Sequence, residues 1–100
     1  PYGMEIKRED VEKIAKGESF LKKLGFHQVR VRHYKDTARI EVLPEEIPRL
    51  LKNENREKIV KKFKNLGYIY VTIDLEGYRS GSMNEVLGKI NHPLQETNLN

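Results

Sequence analysis

Two alternating segments separated by only two residues constrain the fold of this chain more than any other feature. Residues 28–34 and residues 37–42 each alternate polar and apolar side chains, and Lys35-Asp36 lies between them. This pattern is typical of a β-hairpin closed by a tight turn, here without the glycine that such turns usually contain. The cross-strand pairs expected on its apolar face are Val31 with Ile40 and Val29 with Val42.

The other face of this hairpin carries four charged residues. The same register sets Arg30 opposite Glu41, which is favourable, and Arg32 opposite Arg39, which costs stability because like charges face each other. An anion between the two arginines would remove that cost, and Arg is suited to bidentate binding of phosphate or carboxylate. The pattern therefore predicts either an anion-binding surface or a solvated, charged sheet face, and does not by itself separate them.

The composition indicates one soluble, highly charged globular domain with a modest core. The chain has 100 residues, 37% hydrophobic and 34% charged, and its net charge of +4 permits anionic partners without requiring nucleic acid. It has no cysteine, which excludes a disulfide, a thiolate metal site and a cysteine nucleophile within these residues. With no apolar run of membrane-spanning length and no signal-peptide pattern, we expect no membrane partner and a cytoplasmic location.

The two ends of the chain suggest how it is organised. Pro1-Tyr2-Gly3 is an unusual start for a free-standing protein, so the chain is expected to be a domain of something longer, or else to have lost an initiator Met before Pro. Residues 1–90 are expected to form a single α+β domain. Residues 91–100 are expected to be a disordered tail.

Hydrophobic periodicity predicts helices over residues 6–24, from Pro44 onward and over residues 56–66, with Gly25 and Gly67 closing the two long ones. Strands are expected over residues 27–34, 37–43 and 68–75. The residues expected to face the core from the helices are Val11, Ile14, Ala15, Leu21, Leu24, Ile47, Leu50, Leu51, Ile59, Val60, Phe63 and Leu66. Those expected to face it from the last strand are Ile69, Val71, Ile73 and Leu75.

The order α-β-β-α-β predicts a two-layer α+β sandwich. A right-handed crossover would place the third strand parallel to the second, giving a three-stranded mixed sheet with helices on one face, like a ferredoxin-like fold without its first strand. The opposite face would be either solvated or covered by another domain or subunit. Its expected residues are Arg30, Arg32, Arg39, Glu41, Thr72 and Asp74.

Two further features are candidates for chemistry. Glu18 falls on the apolar side of the first helix, where a carboxylate would accept from an Arg or Lys, bind a cation or lie at the edge of the stripe. The loop over residues 76–85 could wrap a phosphate with backbone N–H groups, or it could be an ordinary flexible loop. Its candidate ligand residues are Arg79, Ser80 and Ser82.

The histidines and tyrosines carry weaker signals. His27, His33 and His92 lack metal-ligand spacing, and His33 is expected at the edge of the core. The tyrosines are not arranged as a recognisable platform for single-stranded RNA, so nucleic acid is not the expected partner. The tyrosines considered are Tyr2, Tyr34, Tyr68, Tyr70 and Tyr78.

Five segments together carry a family resemblance. They are Pro1-Tyr2-Gly3; Glu18-Ser19-Phe20-Leu21 with Leu24-Gly25-Phe26; Gln28-Val29-Arg30-Val31-Arg32-His33; Ala38-Arg39-Ile40-Glu41-Val42 with Pro44-Glu45; and the long segment from Asp74 through Gly77-Tyr78-Arg79-Ser80-Gly81-Ser82 to Leu87. These segments resemble the C-terminal domain of the LarE family, the ATP-dependent sacrificial sulfur transferases of the PP-loop superfamily. The resemblance extends over nearly the whole chain to about residue 87.

The resemblance implies a larger, homo-oligomeric enzyme. In that family an N-terminal PP-loop domain uses ATP and Mg²⁺ to adenylate a carboxylate of a pyridinium dicarboxylate mononucleotide. A cysteine just before the Pro-Tyr-Gly segment then gives up its sulfur, and the product feeds synthesis of a nickel-pincer cofactor. The C-terminal domain would supply oligomer contacts and hold the phosphate of this nucleotide-like substrate.

The resemblance also implies roles for particular residues. Arg30 and Arg32 would contact the phosphate, and Glu18 and Glu41 would orient those arginines or help to bind a cation. Arg39 joins the phosphate candidates from the hairpin pattern. No catalytic residue is expected, and no metal ligand set is assigned. The chain lacks both the Ser-Gly-Gly-x-Asp-Ser ATP loop and a cysteine, so alone it is expected to be inactive. The rival hypotheses are a non-catalytic oligomerisation or regulatory module and a small RNA-binding domain.

Overall fold

The computed structural model describes residues 7–79, and the structural statements below concern that part of the chain. The expectations for Pro1-Tyr2-Gly3, Ser80, Ser82 and the tail of residues 91–100 lie outside it. The elements are α1 (Arg8–Lys23), β1 (Val29–Tyr34), β2 (Thr37–Val42), a 3₁₀ turn (Pro44–Glu46), α2 (Ile47–Leu50), α3 (Asn53–Leu66) and β3 (Tyr70–Ile73). Within these residues no helix has the length and apolar character needed to cross a membrane.

The three strands form the predicted mixed sheet, in the order β1-β2-β3. β1 and β2 are antiparallel in the predicted register, with Arg32 opposite Arg39, and β2 and β3 are parallel. Lys35 adopts a φ of 52° in the two-residue turn, the left-handed conformation for which glycine is usually selected. The alternating sequence therefore predicted both the hairpin and the faces of its strands.

The core lies between one face of the sheet and the helices α1 and α3. Its most completely buried side chains are Phe26, Phe63, Leu21, Ile40 and Val42. The two helices approach closely at Gly17, where a Cβ atom would lie 2.8 Å from two ring carbons of Phe63. The absence of a side chain at residue 17 thus provides the space that the Phe63 ring occupies.

Three residues near the ends of α2 and β3 that were predicted to face the core do not do so. Ile69 is 50% exposed and Leu75 is 77% exposed, because β3 spans only four residues and the alternation of a strand does not extend beyond its ends. Ile69 instead donates its N–H to the carbonyl of Asp36, at 2.8 Å. Leu51 is also exposed, since it follows the last residue of α2.

The buried stripe of α1 is rotated relative to the prediction. Val11 and Ala15 are exposed, and Asp10 faces the sheet in place of Val11. The Asp10 carboxylate lies 3.6 Å from Nε2 of His33, at the predicted edge of the core. A polar residue therefore occupies the first inward position of this helix, which hydrophobic periodicity alone does not predict.

The predicted element ends differ from the structure by a few residues. The helix predicted from residue 56 begins at Asn53, and the segment after Pro44 starts as a 3₁₀ turn before α2. Gly67, with a φ of 112°, ends α3 as predicted. These differences leave the fold class and strand order unchanged.

Candidate anion-binding site

The face of the sheet opposite the helices, called the polar face below, is organised in three rows that run across the strands. Residues two apart along a strand share a face, and the register aligns them between strands. Asp74 continues the third row because its N–H donates to the Ile40 carbonyl just beyond the end of β3. The rows are Tyr34, Thr37 and Tyr70; then Arg32, Arg39 and Thr72; then Arg30, Glu41 and Asp74.

Glu41 joins the two arginines that face each other. It is only 3% exposed, and its Oε2 lies 3.3 Å from Nε of Arg32 and 3.4 Å from Nη2 of Arg39. A buried carboxylate is expensive to desolvate unless it is paired, and here two guanidinium groups share that pairing. The anion that the like-charged pair requires is thus supplied by the chain itself.

Glu41 does not pair with the arginine directly opposite it. Arg30 and Glu41 are in register, as predicted, but the carboxylate is directed along the diagonal to the neighbouring row. Long side chains on a sheet reach such diagonal neighbours, roughly 7–8 Å away between Cα atoms, as readily as opposite ones. The predicted Arg30–Glu41 ion pair is therefore replaced by a three-residue cluster that leaves Arg30 out.

Arg30 is held by an aromatic ring instead. Its guanidinium carbon lies 5.5 Å from the centroid of the Tyr78 ring, within the range of a cation–π contact. Within residues 7–79 it forms neither a hydrogen bond nor an ion pair through its side chain. Its five N–H donors are thus available for a ligand.

A turn after β3 brings Tyr78 to this position. The N–H of Gly77 donates to the carbonyl of Asp74 at 3.0 Å, and the N–H of Tyr78 donates to the carbonyl of Val42 at 2.6 Å. Gly77 has a φ of 86°, and a Cβ at this residue would lie 2.8 Å from the Val42 oxygen. Only glycine fits there without displacing the backbone.

Arg79 and Asp74 extend the cluster of charges. Oδ2 of Asp74 lies 3.8 Å from Nε of Arg39 and 3.8 Å from Nη2 of Arg79, and Nη1 of Arg79 is 2.9 Å from Oε1 of Glu76. Charges of opposite sign thus alternate across the polar face. The sequence identified Arg79 as a candidate and placed Asp74 on this face, but it did not indicate that Asp74 connects Arg79 to Arg39.

Glu18 lies on the other side of the site, at the edge of the sheet. Its Oε2 accepts a hydrogen bond of 2.9 Å from the backbone N–H of Val31. Among the described residues it forms no ion pair with an Arg or Lys side chain. Because Val31 lies between Arg30 and Arg32, this bond fixes the segment of β1 that carries both of them, and it also satisfies an N–H that would otherwise face outward from an edge strand.

An open pocket of about 400 Å³ lies on the polar face, along the first two rows. A second pocket, of about 310 Å³, lies beside β3 near α2 and α3. The three arginines predicted to bind phosphate do not all line the pocket on the polar face. Arg32 and Arg39 line it, whereas Arg30 contacts the Tyr78 ring. The residues that line it are Arg32, His33, Tyr34, Thr37, Arg39 and Thr72.

Comparison with known proteins gives three informative relatives. Over 89 residues, the chain is 45% identical to an uncharacterized protein of Synechocystis and 39% identical to the pyridinium-3,5-bisthiocarboxylic acid mononucleotide synthase of Lactiplantibacillus plantarum. Over 79 residues it is 42% identical to an uncharacterized protein of Methanocaldococcus jannaschii. The aligned regions cover 89%, 89% and 79% of this chain and 33%, 32% and 30% of the relatives.

Over most of its length the chain is thus similar to a pyridinium-3,5-bisthiocarboxylic acid mononucleotide synthase. It spans about a third of the length of the relatives that it matches. No protein-family profile matches the chain. The relationship agrees with the resemblance found in the sequence segments, several of which form the polar face.

Some residues of the polar face were not selected from the sequence as site candidates. Tyr34 is 58% exposed and Tyr70 is 61% exposed, and both lie in the row next to Arg32 and Arg39. The alternation of their strands was the sequence signal that could have placed both tyrosines on the polar face. The parallel pairing of β3 with β2 was needed to place Tyr70 in the same row as Tyr34.

Beneath this face, His33 connects two other residues. Its Nδ1 lies 2.8 Å from the Tyr68 hydroxyl and its Nε2 is 3.6 Å from the Asp10 carboxylate. Burial, and secondarily the negative charge of Asp10, raises the pKa of the Tyr68 hydroxyl to about 12. Tyr68 therefore remains neutral at physiological pH, and we interpret this group as a support for the pocket wall at His33.

Proposed function

We propose that this chain is the substrate-phosphate-binding part of a LarE-like, ATP-dependent sulfur transferase. The L. plantarum relative is named as the synthase of a pyridinium bisthiocarboxylic acid mononucleotide, and a mononucleotide carries a phosphate. The activity would be the thiolation of a pyridinium dicarboxylate mononucleotide for nickel-pincer cofactor synthesis. ATP, Mg²⁺ and the sulfur donor are assigned to parts of the enzyme outside these residues, because the chain has neither the ATP loop nor a cysteine.

The observation that carries this proposal is that Arg32 is held in position next to Arg30, whose guanidinium pairs with no carboxylate among residues 7–79. Arg32 contacts Glu41 only through Nε, so its two terminal nitrogens have no hydrogen-bond partner among residues 7–79. Arg30 lies two residues away on the same face, which places the two Cα atoms about 7 Å apart. Two guanidinium groups at this spacing can bind different oxygens of one phosphate.

Glu41 would act as a positioning residue. It fixes Arg32 and Arg39 before any ligand arrives, so less side-chain entropy is lost on binding. Glu18 would contribute in a similar way by fixing the backbone at Val31. Neither carboxylate would touch the phosphate, since both would repel it. In this hypothesis the contribution of the domain to the reaction is to bind and orient the substrate.

An NMR titration of the chain with inorganic phosphate at low salt tests the proposal. We expect amide shifts clustered at Arg30 and Arg32, and their loss in Arg32→Ala. Arg56→Ala is the matched control, because Arg56 is an exposed arginine on α3 and its removal changes the net charge by the same amount. Shifts spread over all basic surfaces, or equal loss in both variants, would contradict a defined phosphate site.

A second role, contact between copies of the chain in a homo-oligomer, is favoured by the edge of β3, along which no strand of residues 7–79 pairs. β3 carries no charged residue, so two copies could pair there without opposing like charges, and the exposed apolar residues Ile69 and Leu75 flank it. Sedimentation without ligand should show association that increases with protein concentration. Leu75→Lys should weaken it, whereas a chain that remains monomeric throughout would refute this role.

A further inference from the structure

The row formed by Tyr34, Thr37 and Tyr70, called the tyrosine row below, has no role in the charge network described above. Both tyrosines are more than half exposed, although large aromatic side chains are usually buried to a greater extent. Between them stands the much smaller side chain of Thr37, directly in register with both. The polar face thus carries an aromatic gap immediately beside the arginines.

We propose that the tyrosine row binds the planar ring of a mononucleotide whose phosphate is held by the arginines of the next rows. This inference rests on the proposed function and adds the site of the ring to it. The ligand class is one planar, electron-poor heteroaromatic ring joined through a sugar to one phosphate.

The spacing of the strands supports a ring between the two tyrosines. Neighbouring strands lie about 4.8 Å apart, so the Cα atoms of Tyr34 and Tyr70 are roughly 10 Å apart with Thr37 midway. A ring seated above Thr37 would then lie about 5 Å from each tyrosine, and aromatic rings interact at centroid distances of about 4.5–7 Å. A bulky residue at position 37 would fill this gap.

The spacing along the strands fits the other end of the ligand. The row that contains Arg32 and Arg39 lies about 7 Å from the tyrosine row, because two residues of a strand separate them. A ribose linking a ring to its 5′-phosphate has a comparable length. The pocket on this face extends from Tyr34 and Thr37 to Arg32 and Arg39, and Tyr70 lies beside it, in register with Thr37 on the neighbouring strand.

The electrostatics of the row favour an electron-poor ring. Nζ of Lys35 lies 5.5 Å from the centroid of the Tyr34 ring, whereas no described cation contacts the ring of Tyr70. Aromatic faces carry negative potential and therefore attract cationic rings such as pyridinium. The Lys35 ammonium would also favour negatively charged ring substituents, including carboxylates.

The test compares two ligands that differ only in the ring. Nicotinic acid mononucleotide carries both ring and phosphate, and ribose 5-phosphate carries only the phosphate; each is titrated into the full chain by NMR. The unmodified chain should bind the mononucleotide more tightly and shift the Thr37 signals with that ligand alone. Replacing both tyrosines, Tyr34→Leu with Tyr70→Leu, should weaken mononucleotide binding roughly tenfold or more and leave ribose 5-phosphate unchanged.

Two controls separate stacking from general disturbance. Tyr34→Phe with Tyr70→Phe keeps the rings and should retain most of the affinity. Ile69→Ala removes an apolar side chain that is also at least half exposed, next to Tyr70 but outside the row, and should have no effect on either ligand. Both results would assign the effect to the aromatic rings of the tyrosine row.

Several results would overturn the inference. Unchanged mononucleotide binding in the double leucine variant would refute the ring site while leaving the phosphate site intact, and equal loss of both ligands would show that the tyrosines are only structural. Failure of the unmodified chain to bind either ligand would refute the proposed function as well. Tight binding of oligouridylate with a steep salt dependence, but no binding of the mononucleotide, would identify an RNA surface instead.

Discussion

The two faces of the same three-stranded sheet are built on different physical principles. On the helix-covered face, Val31, Ile40 and Val42 are buried among apolar neighbours, and any side chain of suitable size and shape satisfies the position. On the polar face, Glu41 is almost as deeply buried, but it is stable there only because two particular arginines reach it. Packing is non-directional, whereas ion pairing depends on where each long side chain points. The comparison predicts different responses to substitution on the two faces.

The largest effect is expected on the helix-covered face. Phe63→Ala should lower the free energy of unfolding by about 3–5 kcal/mol, because the ring is fully buried between Gly17 of α1 and Tyr68. Urea unfolding followed by circular dichroism measures this. Ile73→Ala, on partly buried β3, should cost less, about 1–2 kcal/mol. A loss below 1 kcal/mol for Phe63→Ala would show that the core is assigned incorrectly.

On the polar face, Glu41→Gln should cost about 2 kcal/mol, since it leaves two opposed arginines without their shared anion. Both guanidinium groups are partly exposed, so solvent and salt reduce the loss. The defect should therefore shrink as salt is added, which an apolar cavity on the other face would not do. Glu76→Gln, at an exposed carboxylate, is the control and should be nearly neutral. A salt-independent loss at Glu41 would indicate a packing defect rather than charge repulsion.

These expectations also explain which parts of the molecule the sequence could reveal. Alternation in residues 28–42 predicted the hairpin, its register and the fact that Arg32 faces Arg39, because strand geometry fixes which residues are opposite. It did not predict that Glu41 would reach along the diagonal, since that choice depends on side-chain rotamers. The Arg30–Tyr78 contact requires the position of the turn at Gly77, which follows from tertiary structure.

The same distinction explains the misassigned residues. Ile69 and Leu75 satisfy the alternation of a longer strand, but β3 begins after Ile69 and ends before Leu75. Asp10 interrupts the hydrophobic pattern of α1, yet it faces the sheet because His33 provides a polar partner at that edge. Periodicity identifies the apolar face of an element; it does not identify where the element ends or where a polar group finds a buried partner.

A smaller effect with a defined pH dependence is expected at the junction of the two faces. Tyr68→Phe removes the hydrogen bond to His33 and should cost about 1 kcal/mol at neutral pH. Because the folded-state pKa of Tyr68 is raised from 10.0 to about 12, the unfolded chain loses this proton first as the pH rises. The stability due to the neutral hydroxyl is complete below pH 10 and is lost as the pH rises towards 12.

The advantage of the unmodified chain over Tyr68→Phe should consequently shrink between pH 10 and pH 12. Unfolding curves of the two proteins at matched pH measure this difference. Because both proteins contain the same lysines, the contribution of lysine titration cancels when their stabilities are subtracted. Tyr70→Phe is the control, since Tyr70 is exposed. A difference that stays constant up to pH 12 would mean that burial does not raise the pKa of Tyr68.

The smallest effect on stability is expected at Arg30, where the comparison of the two faces is sharpest. Arg30→Ala removes a cation–π contact on the polar face and should cost about 0.5 kcal/mol, because the side chain contributes to neither the core nor the Glu41 cluster. Phosphate binding should nevertheless be lost, since Arg30 would supply the donors that the network leaves unused. Phosphate titration and urea unfolding of the same variant separate the two effects. Cooperative unfolding at much lower urea would instead show that Arg30 is a structural residue, and the polar face would then be an internally neutralised surface rather than a ligand site.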